Sequence, residues 1–518
     1  MSVGGILRRN AFNFGDKTAL VFEDRRVSYG ELNQTVNRAA NHLLHMGLQK
    51  GDRLAVLLHN SVEFIELYFA CAKSGLVFVP LNNLLKGREV VRVLEYIRPR
   101  ALVFDHDFTE LIQSILPGLG FIQFAVCLGE ESAEFPSYHT LTQGGSDKEP
   151  QIALSDDDLI SIFLTSGTTG RPKGVMRTHR HDWVNMMSCA LEMGVRRDDR
   201  TLLVFPFYHV TFVDNMRHLL MGNTAVIRRE GKFDPHDVLD LLSREGITMC
   251  QFVPTMINAL LQVEDLASYD LSWFRLLIYA ASPMPVELLK KAMKQLDCQF
   301  MQMYGQTETG PATTALRPED HCLKGSKDQM ARLASAGRAL LDYEIRLVDE
   351  GGRDVPMGQV GEIAVRSEAM TTGYWDLPQE TDRIIRGGWL HTGDFGRMDA
   401  ERYVFIVDRK NDMIISGGKN IYPREIEEVI YTHPAVLETA VIGVPDEYWG
   451  EAVKALVVLK PGKKATEEEI IALCKDTLAS YKKPKSVEFR SQLPKSPTGK
   501  LLKRTIREEY WKGMERSV

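Results

Sequence analysis

The sequence predicts an α/β protein with largely parallel sheets, followed by a smaller antiparallel part and a C-terminal block. The chain has 518 residues, which is more than one compact core usually serves, so we expect at least two domains. Two patterns support the fold class: apolar runs that alternate with amphipathic helical segments, and a change after about Gly337 to short segments of alternating polarity.

The strand–helix–strand rhythm is clearest near the start of the chain. Residues 53–58 predict a buried strand, residues 61–74 carry apolar side chains at helical spacing, and residues 76–80 predict the next strand. Further apolar runs of this kind begin at Ala101, Leu202, Ala225 and Leu276. Because a helix normally joins two parallel strands, this rhythm predicts largely parallel sheets.

The pattern of apolar and polar residues changes after Gly337. Residues 344–348 and 362–366 alternate apolar and polar side chains, which predicts short antiparallel strands in a small barrel or sheet. The last block combines a helix that opens at Tyr422 with two strand-like runs and a second helix over residues 466–479. We place the domain boundary in the charged run at 408–411, which gives domains of residues 1–410 and 411–518.

Composition excludes several classes of protein. Lys and Arg number 63 against 69 Asp and Glu, a net charge of -6, so no basic footprint for nucleic acid is expected. No window has the roughly 18 apolar residues of a membrane span, and the start has no signal-peptide pattern. The seven cysteines are scattered and never spaced as CxxC, which argues against a disulfide framework or structural zinc and suits a reducing cytoplasm.

The strongest motif follows the apolar run at 159–163. It comprises Thr165, Ser166, Gly167, Thr168, Thr169 and Gly170, with Lys173 three residues further on. Glycines let the backbone approach an anion, hydroxyls donate to phosphate oxygens, and the lysine neutralises charge. The pattern differs from a Walker motif because Pro172 precedes the lysine. The alternative is a hydroxyl-rich surface turn.

A second motif is Tyr304-Gly305-Gln306-Thr307-Glu308, after an apolar run. Tyrosine can stack on a base, threonine can hold a phosphate, and a carboxylate can hold Mg²⁺. By itself this motif is weak. The alternative is a helix that begins with Thr307 as its N-cap.

Two further segments carry candidate residues. Asp394, in the run at 389–394, could accept both ribose hydroxyls, with Arg409 downstream; the alternative is a loop salt bridge with an arginine. Lys500 lies in Pro494-Lys-Ser-Pro-Thr-Gly-Lys500, where two prolines and a glycine constrain the backbone as an active-site cation would need. The alternative for Lys500 is an ordinary solvated lysine.

In this order and spacing, the four segments resemble the adenylate-forming superfamily of acyl-CoA synthetases, luciferases and peptide-synthetase adenylation domains. The resemblance extends over nearly the whole chain and includes Tyr29-Gly-Glu-Leu, Pro206-Phe-Tyr-His209 and the runs at 280–283 and 416–423. It implies a large N-terminal domain of two stacked, mostly parallel sheets with helices and a small β-barrel-like subdomain. A small mobile α+β C-terminal domain would follow, and ATP, Mg²⁺ and coenzyme A are the implied cofactors.

The resemblance also implies a role for each motif residue. Thr165 to Gly170 and Lys173 would grip the β- and γ-phosphates, Thr307 would meet the α-phosphate, and Glu308 would hold Mg²⁺. Tyr304 would stack on adenine, Asp394 and Arg409 would bind ribose, and Lys500 would bridge the carboxylate and the α-phosphate. The remaining implied residues are Ala281, Ser282 and Pro283 along the adenine and acyl pockets, His209 as a gate to the acyl site, Gly417 and Gly418 beside the pantetheine tunnel, and Asn411 as the hinge, where the family usually has Asp or Lys.

The acyl pocket determines which acid is used. We expect it to be built from Val213, Asp214, Tyr279, Ala280, Met303, Gly305 and Pro311. Ala280 stands where many relatives have glycine, and its methyl group would narrow the pocket. These mostly apolar residues favour a medium-size apolar acid: aromatic, alicyclic or medium-chain aliphatic. Arg217 would instead indicate a dicarboxylate, and Asp214 a cationic acid; both are disfavoured alternatives.

Three other functions stay open from the sequence. The first is an adenylation enzyme that loads a separate carrier protein; a fused carrier is not expected, since only residues 501–518 follow Lys500, which favours free coenzyme A. The second is a nucleotide-binding protein with a dead site, against which intact Lys500, Glu308 and Asp394 argue. A luciferase-type oxygenase is the third. The expected partners are small molecules, and a homodimer is compatible with the sequence.

Overall fold

A computed structural model describes residues 2–129, 134–166, 172–409, 412–496 and 501–512. The strands of the larger, N-terminal part are β1 Thr18–Phe22, β2 Arg25–Ser28, β3 Arg53–Leu57, β4 Val77–Pro80, β5 Ala101–Asp105, β6 Phe124–Leu128, β7 Leu159–Ser166, β8 Pro172–Thr178, β9 Arg200–Leu203, β10 Thr224–Ile227, β11 Met249–Phe252, β12 Leu276–Tyr279, β13 Gln299–Gln306, β14 Gly310–Leu316, β15 Arg338–Ala339, β16 Glu344–Val348, β17 Gly361–Arg366, β18 Ile385–Arg386, β19 Trp389–Met398 and β20 Val404–Arg409.

The α-helices of the same part are α1 Val3–Phe14, α2 Tyr29–His45, α3 Val62–Ser74, α4 Gly87–Ile97, α5 Thr109–Ile115, α6 Tyr138–Gln143, α7 His179–Glu192, α8 Thr211–Met216, α9 Pro235–Arg244, α10 Pro254–Leu260, α11 Val286–Gln295, α12 Lys327–Ala331 and α13 Pro378–Ile384. Local chemistry sets their ends. In α3, the Ser61 side chain caps the first turn at the Phe64 N–H, and Gly75 ends the helix with a φ of 74°.

Two large sheets form the N-terminal part. The nine-stranded sheet has the order β15-β14-β13-β12-β11-β9-β10-β1-β2, and its strands from β13 to β1 are parallel. The six-stranded sheet has the order β6-β5-β3-β4-β7-β8 and is parallel except for the final pair. The predicted α/β class with mostly parallel sheets is confirmed.

The main core lies between these sheets. One apolar cluster joins Leu20 and Ala225 of the nine-stranded sheet to Leu54 and Phe78 of the six-stranded sheet, with the apolar faces of α2 and α3 among its members. Burying both faces of each sheet explains why the parallel strands are continuous apolar runs in the sequence. None of the described helices combines the length and the apolar character needed to cross a membrane.

A third, antiparallel sheet follows. Its order is β16-β17-β19-β18, with β20 paired to β19, and Leu347 lies opposite Ile363 in its register. The alternation of residues 344–348 and 362–366 therefore predicted the strands and their antiparallel pairing correctly. This sheet brings Asp394 of β19 opposite Arg409 of β20.

The C-terminal part has its own sheet and its own apolar clusters. Its elements are β21 Ile414–Ser416, β22 Lys419–Ile421, α14 Pro423–Tyr431, β23 Val436–Asp446, β24 Gly450–Leu459, α15 Glu467–Thr477, β25 Ser486–Phe489 and α16 Lys503–Tyr510. The strand order is β22-β21-β24-β23, with β25 parallel to β24. A small α+β unit after the large sheets is confirmed, whereas the boundary between 410 and 411 stays a prediction because both residues lie outside the described ranges.

Candidate active site

The hydroxyl-rich motif begins at the end of β7, and Lys173 lies at the start of β8. β7 and β8 are antiparallel, with Thr165 opposite Lys173, and the Thr165 hydroxyl donates to the Lys173 carbonyl at 3.4 Å. The Lys173 Nζ lies 2.6 Å from Glu380 Oε2 and 5.0 Å from the centre of the Tyr374 ring. Four predicted phosphate-binding residues, Gly167, Thr168, Thr169 and Gly170, lie outside the described residues, as does the side chain of Ser166.

Three donors converge on Asp394. Its Oδ2 accepts from the Tyr304 hydroxyl at 2.8 Å and from Gln306 Nε2 at 2.7 Å, and its Oδ1 lies 3.3 Å from Arg409 Nε. Burial, reinforced by the Asp394 charge, raises the pKa of Tyr304 well above its usual value, so the phenol stays protonated and donates. The loop salt bridge considered as the alternative is therefore only one part of a larger cluster.

The backbone around this cluster needs small residues. Ala281, which follows β12, has a φ of 68°, a left-handed conformation that costs a non-glycine residue free energy and often marks a functional site. Ser282 and Pro283 continue this segment. A Cβ at Gly305 would come within 2.6 Å of the Pro311 carbonyl oxygen, so glycine is required where β13 and β14 approach each other.

Thr307 and Glu308 form a tight turn from β13 to β14, and no helix begins there, so the N-cap alternative is wrong. The turn is anchored on several sides. The Thr307 carbonyl accepts from Arg177 Nη1 at 3.2 Å, and the Glu308 carbonyl accepts from the Thr371 N–H at 2.8 Å. The Tyr374 hydroxyl donates to Glu308 Oε1 at 2.9 Å.

Several of these contacts were missed in the sequence. Gln306 stands inside the quoted motif, and its amide signalled a further donor. Tyr374 and Arg177 gave no such signal, because their partners lie 66 and 130 residues away. Arg177 also pairs with Asp182 of α7. Both side chains are fully buried, although arginine and aspartate usually lie at the surface.

The predicted acyl residues come from α8 and from the neighbouring strand ends. His209 precedes α8, is partly exposed, and its Nδ1 lies 3.3 Å from the Thr211 backbone nitrogen and 3.2 Å from the Thr211 hydroxyl. Val213 is fully buried in the main core. Ala280 and Met303 belong to a different apolar cluster, and Pro311, at the start of β14, is partly exposed.

Two predicted pocket residues have internal partners. The Tyr279 hydroxyl bonds His321 Nε2 at 2.9 Å, and burial lowers the pKa of His321 to about 4, so the ring is neutral at pH 7 and accepts this bond. The Asp214 carboxylate forms a buried ion pair with Arg217, whose Nη2 also donates to Gln251 at 3.2 Å. Because each charge neutralises the other, neither the cationic-acid nor the dicarboxylate alternative gains support.

Gly417 and Gly418 form the two-residue turn between β21 and β22. Their φ angles are 56° and 74°, as in a type I′ hairpin turn, which favours glycine. The Gly417 N–H donates to the Trp449 carbonyl at 2.9 Å, and a Cβ at this position would come within 2.5 Å of the Trp449 ring. A tight turn therefore accounts for both glycines without any ligand.

The predicted hinge Asn411 and the predicted catalytic Lys500 lie outside the described residues. The loop that carries Lys500 begins and ends at one place, since the Leu502 N–H donates to the Pro494 carbonyl at 3.0 Å. Next to the hinge, Arg507 lies 2.9 Å from Asp412 and Lys503 lies 2.7 Å from Glu427. These contacts tie the helix that follows the Lys500 loop to Asp412 and Glu427.

Comparison with known proteins places the site in a family. Residues 7–375 match the family model for AMP-binding enzyme, and residues 425–500 match the model for its C-terminal domain. A fatty acid–[acyl-carrier-protein] ligase, ScoC of Streptomyces coeruleorubidus, is 35% identical over 96% of this chain and 95% of its own length. A feruloyl-CoA synthase of an Amycolatopsis species is 35% identical over 95% of this chain and 96% of its own length.

The fold agrees with this assignment. The anthranilate CoA ligase AuaEII, solved in complex with anthranoyl-AMP, superposes with a TM-score of 0.90 and 28% identity, covering 98% of this chain and 97% of that one. The matched models together extend over both parts of the chain, and the Asp394 cluster lies where both parallel and antiparallel sheets contribute. The chain therefore belongs to the family of AMP-binding enzymes, the adenylate-forming superfamily that includes the AMP-forming acyl-CoA ligases.

Proposed function

We propose that this enzyme is an AMP-forming acyl-CoA ligase for a medium-size apolar carboxylic acid. In the first step, the substrate carboxylate attacks the α-phosphorus of ATP, and pyrophosphate leaves. In the second step, the thiol of coenzyme A attacks the acyl carbon, and AMP leaves. The observation that carries the proposal is the convergence of Tyr304, Gln306 and Arg409 on Asp394, beside the Thr307–Glu308 turn.

This cluster suits a nucleoside. The two Asp394 oxygens can accept hydrogen bonds from the two ribose hydroxyls, and Arg409, whose side chain is half exposed, can turn toward the ligand. Tyr304 would lie along the adenine, with the Ala281–Ser282–Pro283 segment, which follows the neighbouring strand β12, close to it. The hairpin from Thr165 to Lys173 would hold the β- and γ-phosphates through its backbone N–H groups, hydroxyls and lysine.

The Thr307–Glu308 turn supplies the groups that face the α-phosphate and the metal. Tyr374 bonds one oxygen of Glu308, and in the part of the chain that the structure describes the second oxygen has no hydrogen-bond partner, so Glu308 fits a Mg²⁺ ligand. No described group of three or more His, Cys, Asp or Glu is arranged as a metal cage, which agrees with an ion held mainly by phosphate oxygens. Bound Mg²⁺ would supply charge neutralisation to the triphosphate.

Lys500 is the proposed catalytic cation. A carboxylate and a phosphate repel each other, and an ammonium group between them offsets that repulsion and stabilises charge at the phosphorus. For Lys500 to leave before thioester formation, we propose that residues 411–518 rotate about the Asn411 region. The ion pairs of Asp412 with Arg507 and of Glu427 with Lys503 support this role, since they tie the C-terminal helix to the hinge side of its own domain.

The second step would use the face around Gly417 and Gly418. Beside this turn lie the exposed aromatic pair Tyr448 and Trp449, with Lys485 over the Trp449 ring at 5.5 Å. Exposed rings and a lysine suit the purine and phosphates of coenzyme A. A free thiol titrates near 8.5, so a small thiolate fraction exists at neutral pH without a dedicated base.

The proposed acid is apolar and of medium size. Val213, Ala280 and Met303 are apolar and buried, His209 is partly exposed before α8, and the Asp214–Arg217 pair leaves no net charge. Two of the similar proteins are named for aromatic acids, ferulic acid and anthranilic acid, and one for fatty acids. The first two names support an aromatic acid, and the third supports an aliphatic one.

Pyrophosphate release with ATP, Mg²⁺ and a panel of acids tests the first step. We expect release to depend on the added acid and to be fastest with aromatic, alicyclic or medium-chain acids. Release without any acid, or none with every acid, would contradict the proposal and favour a protein with a dead site.

A second candidate function is the loading of a separate carrier protein, which the similarity to ScoC favours. Thioester formation with coenzyme A as the only acceptor decides between the two. We expect acyl-CoA to accumulate; acyl-AMP that reacts only with a phosphopantetheinylated carrier would establish the alternative.

A further inference from the structure

A buried ion pair joins the two phosphate-facing segments of the site. Arg177 is near the end of β8, and its Nε bonds Asp182 Oδ1 at 2.5 Å while its Nη1 donates to the Thr307 carbonyl at 3.2 Å. Asp182 is completed by the Tyr68 hydroxyl, which donates to Oδ2 at 3.1 Å. All three side chains are fully buried. Arg177 therefore holds the backbone of a proposed catalytic residue without being exposed to substrate.

β8 connects this pair to the phosphate hairpin. Lys173 and Arg177 are four residues apart on the same strand, which corresponds to about 13 Å of extended backbone. The preceding residue, Met176, accepts at its carbonyl from the Thr371 hydroxyl at 2.6 Å, and the Thr371 N–H in turn holds the Glu308 carbonyl. Consecutive residues of β8 thus anchor Thr307 and Glu308, so the strand sets the distance between this turn and Lys173.

The contact between Arg177 and the Thr307 carbonyl also has an electrostatic effect on the turn. The Thr307 carbonyl and the Glu308 N–H belong to one peptide bond, so a charged donor on the carbonyl increases the positive character of that N–H. That polarisation favours a negative charge at the turn, where the α-phosphate is proposed to lie.

Stabilisation of the fold does not by itself explain the Arg177–Asp182 ion pair. Replacing a buried ion pair by neutral side chains is often harmless, because desolvation opposes the attraction of the charges. Arg177 Nη2 is buried without a hydrogen-bond partner among the described residues, an arrangement that a purely structural pair would avoid.

We propose that Arg177, held in place by Asp182, is a positioning residue for adenylate formation. Its guanidinium fixes the Thr307 carbonyl and thereby sets the Thr307 hydroxyl and the Glu308 carboxylate against the phosphate hairpin. This inference rests on the proposed function, since it concerns the step in which acyl-AMP forms. It assigns Arg177 no contact with substrate.

The test compares the two half-reactions in the full-length protein. The double variant Arg177→Met/Asp182→Asn removes both charges together, so no lone charge stays buried. We expect its acid-dependent pyrophosphate release to fall about 10- to 100-fold, with a higher Mg²⁺ concentration needed for half-activation, because misplacement of a catalytic group by about 1 Å can cost that much. Thioester formation from supplied acyl-AMP and coenzyme A should change less than about threefold.

A matched pair elsewhere serves as the control. Arg275 and Asp199 form a second largely buried pair at 2.6 Å, at the amino ends of β12 and β9 and away from the Asp394 cluster. In Arg275→Met/Asp199→Asn, any loss should affect both half-reactions equally and leave the Mg²⁺ requirement unchanged.

Several outcomes would overturn the inference. One is unchanged adenylation in Arg177→Met/Asp182→Asn; another is an equal fall in both half-reactions that follows the melting temperature. If that variant does not fold, Arg177→Lys decides, since lysine keeps the charge but cannot reach both partners with a planar fork. The positioning role of Arg177 would then be rejected if Arg177→Lys needed the same Mg²⁺ concentration as the wild type and had the same ratio of adenylation rate to thioester-formation rate. Wild-type protein that releases no pyrophosphate with any acid would instead reject the proposed function.

Discussion

Asp394 and Gly417 lie in the two halves of the proposed site, and their surroundings differ. Asp394 is 3% exposed and is held by Tyr304, Gln306 and Arg409. Gly417 lies in a hairpin turn whose neighbours Tyr448 and Trp449 are exposed by 82% and 42%. The proposed nucleotide half is thus held by buried hydrogen bonds, whereas the proposed coenzyme A half presents an open face.

This difference teaches how one cleft can serve two reactions. Groups that stabilise a transition state by electrostatics must be fixed in advance, which the buried hydrogen bonds of the large domain achieve. The Gly417 face is proposed to approach and leave; such a face cannot be buried, so its shape would come from a tight turn instead of from a core. Changes in the two halves should therefore affect different half-reactions.

The largest effect is expected from Lys500→Ala. Loss of a preorganised cation commonly costs about 3 kcal/mol, so acid-dependent pyrophosphate release should fall by about 100-fold or more. Thioester formation from supplied acyl-AMP should be largely retained, since Lys500 is proposed to have left by then. Lys495→Ala, on the same loop but paired with Glu438, is the matched control and should be near wild type. Full adenylation by Lys500→Ala would remove the mobile cation from the mechanism.

The stability of the large N-terminal part should depend on pH through Glu66, a buried carboxyl group of α3. Burial raises the pKa of Glu66 to about 7, with the charge of Glu63 adding to it and the Tyr138 hydrogen bond and Arg25 opposing it. The folded state favours the neutral acid, so this contribution is fully present below the unfolded value of about 4.5 and is lost as the pH rises through 7. The lost contribution amounts to about 3 kcal/mol.

Glu66→Gln tests this expectation. The measurement is the urea unfolding midpoint of both proteins at pH 5 and pH 8. The free energy of unfolding of Glu66→Gln should increase relative to that of the wild type as the pH rises. Parallel pH profiles would show that Glu66 is ionised in the folded protein throughout this range.

The sequence predicted local features well and distant contacts poorly. The strand at residues 53–58 and the helix at 61–74 were identified because the spacing of apolar residues is a local pattern; the Ser61 cap is a further local feature that the structure shows. The bond between Tyr304 and Asp394 joins residues 90 positions apart, and only the family resemblance placed them in one site. The Arg177–Thr307 contact follows from the packing of two sheets, for which neither the residues nor the resemblance gave a sign.

Substitutions in the Gly417–Gly418 turn test the proposed coenzyme A half most directly. Gly417→Ala and Gly418→Ala both put an alanine at positive φ, which costs roughly 1 kcal/mol in each. Only at 417 would the new methyl group meet the Trp449 ring, while nothing lies within 4 Å of a Cβ at 418. We expect thioester formation to slow about tenfold more in Gly417→Ala than in Gly418→Ala, with adenylation unchanged in both, an effect of roughly 1.4 kcal/mol.

The control is thus built into the pair of variants. Equal effects would mean that backbone strain alone matters and that Trp449 has no part in the second step. A fall in adenylation would show that the face is not separate from the nucleotide half.

The smallest effect is expected from Glu380→Gln. Lys173 is paired with Glu380 at 2.6 Å, and its hydrogen bond lowers the pKa of that carboxyl, which is therefore charged at neutral pH. A triphosphate must compete with this carboxylate for the lysine. Glu380 also pairs with Arg383, and the substitution removes that ion pair as well. Loss of the partly exposed pair with Lys173 is worth about 0.4–1 kcal/mol, so KM for ATP should fall about two- to fivefold with kcat unchanged.

The direction of that change distinguishes two roles for Glu380. A lower KM means that the carboxylate occupies the lysine until ATP displaces it, and the advantage should shrink at high salt. A higher KM would mean that Glu380 orients Lys173 toward the phosphates. Lys173 would then belong, with the Asp394 cluster, to the residues of the proposed nucleotide half whose positions are fixed by other side chains. Glu368→Gln, an exposed carboxylate paired with Arg180 at 3.4 Å, is the control and should leave KM unchanged because it lies outside the Lys173 contacts.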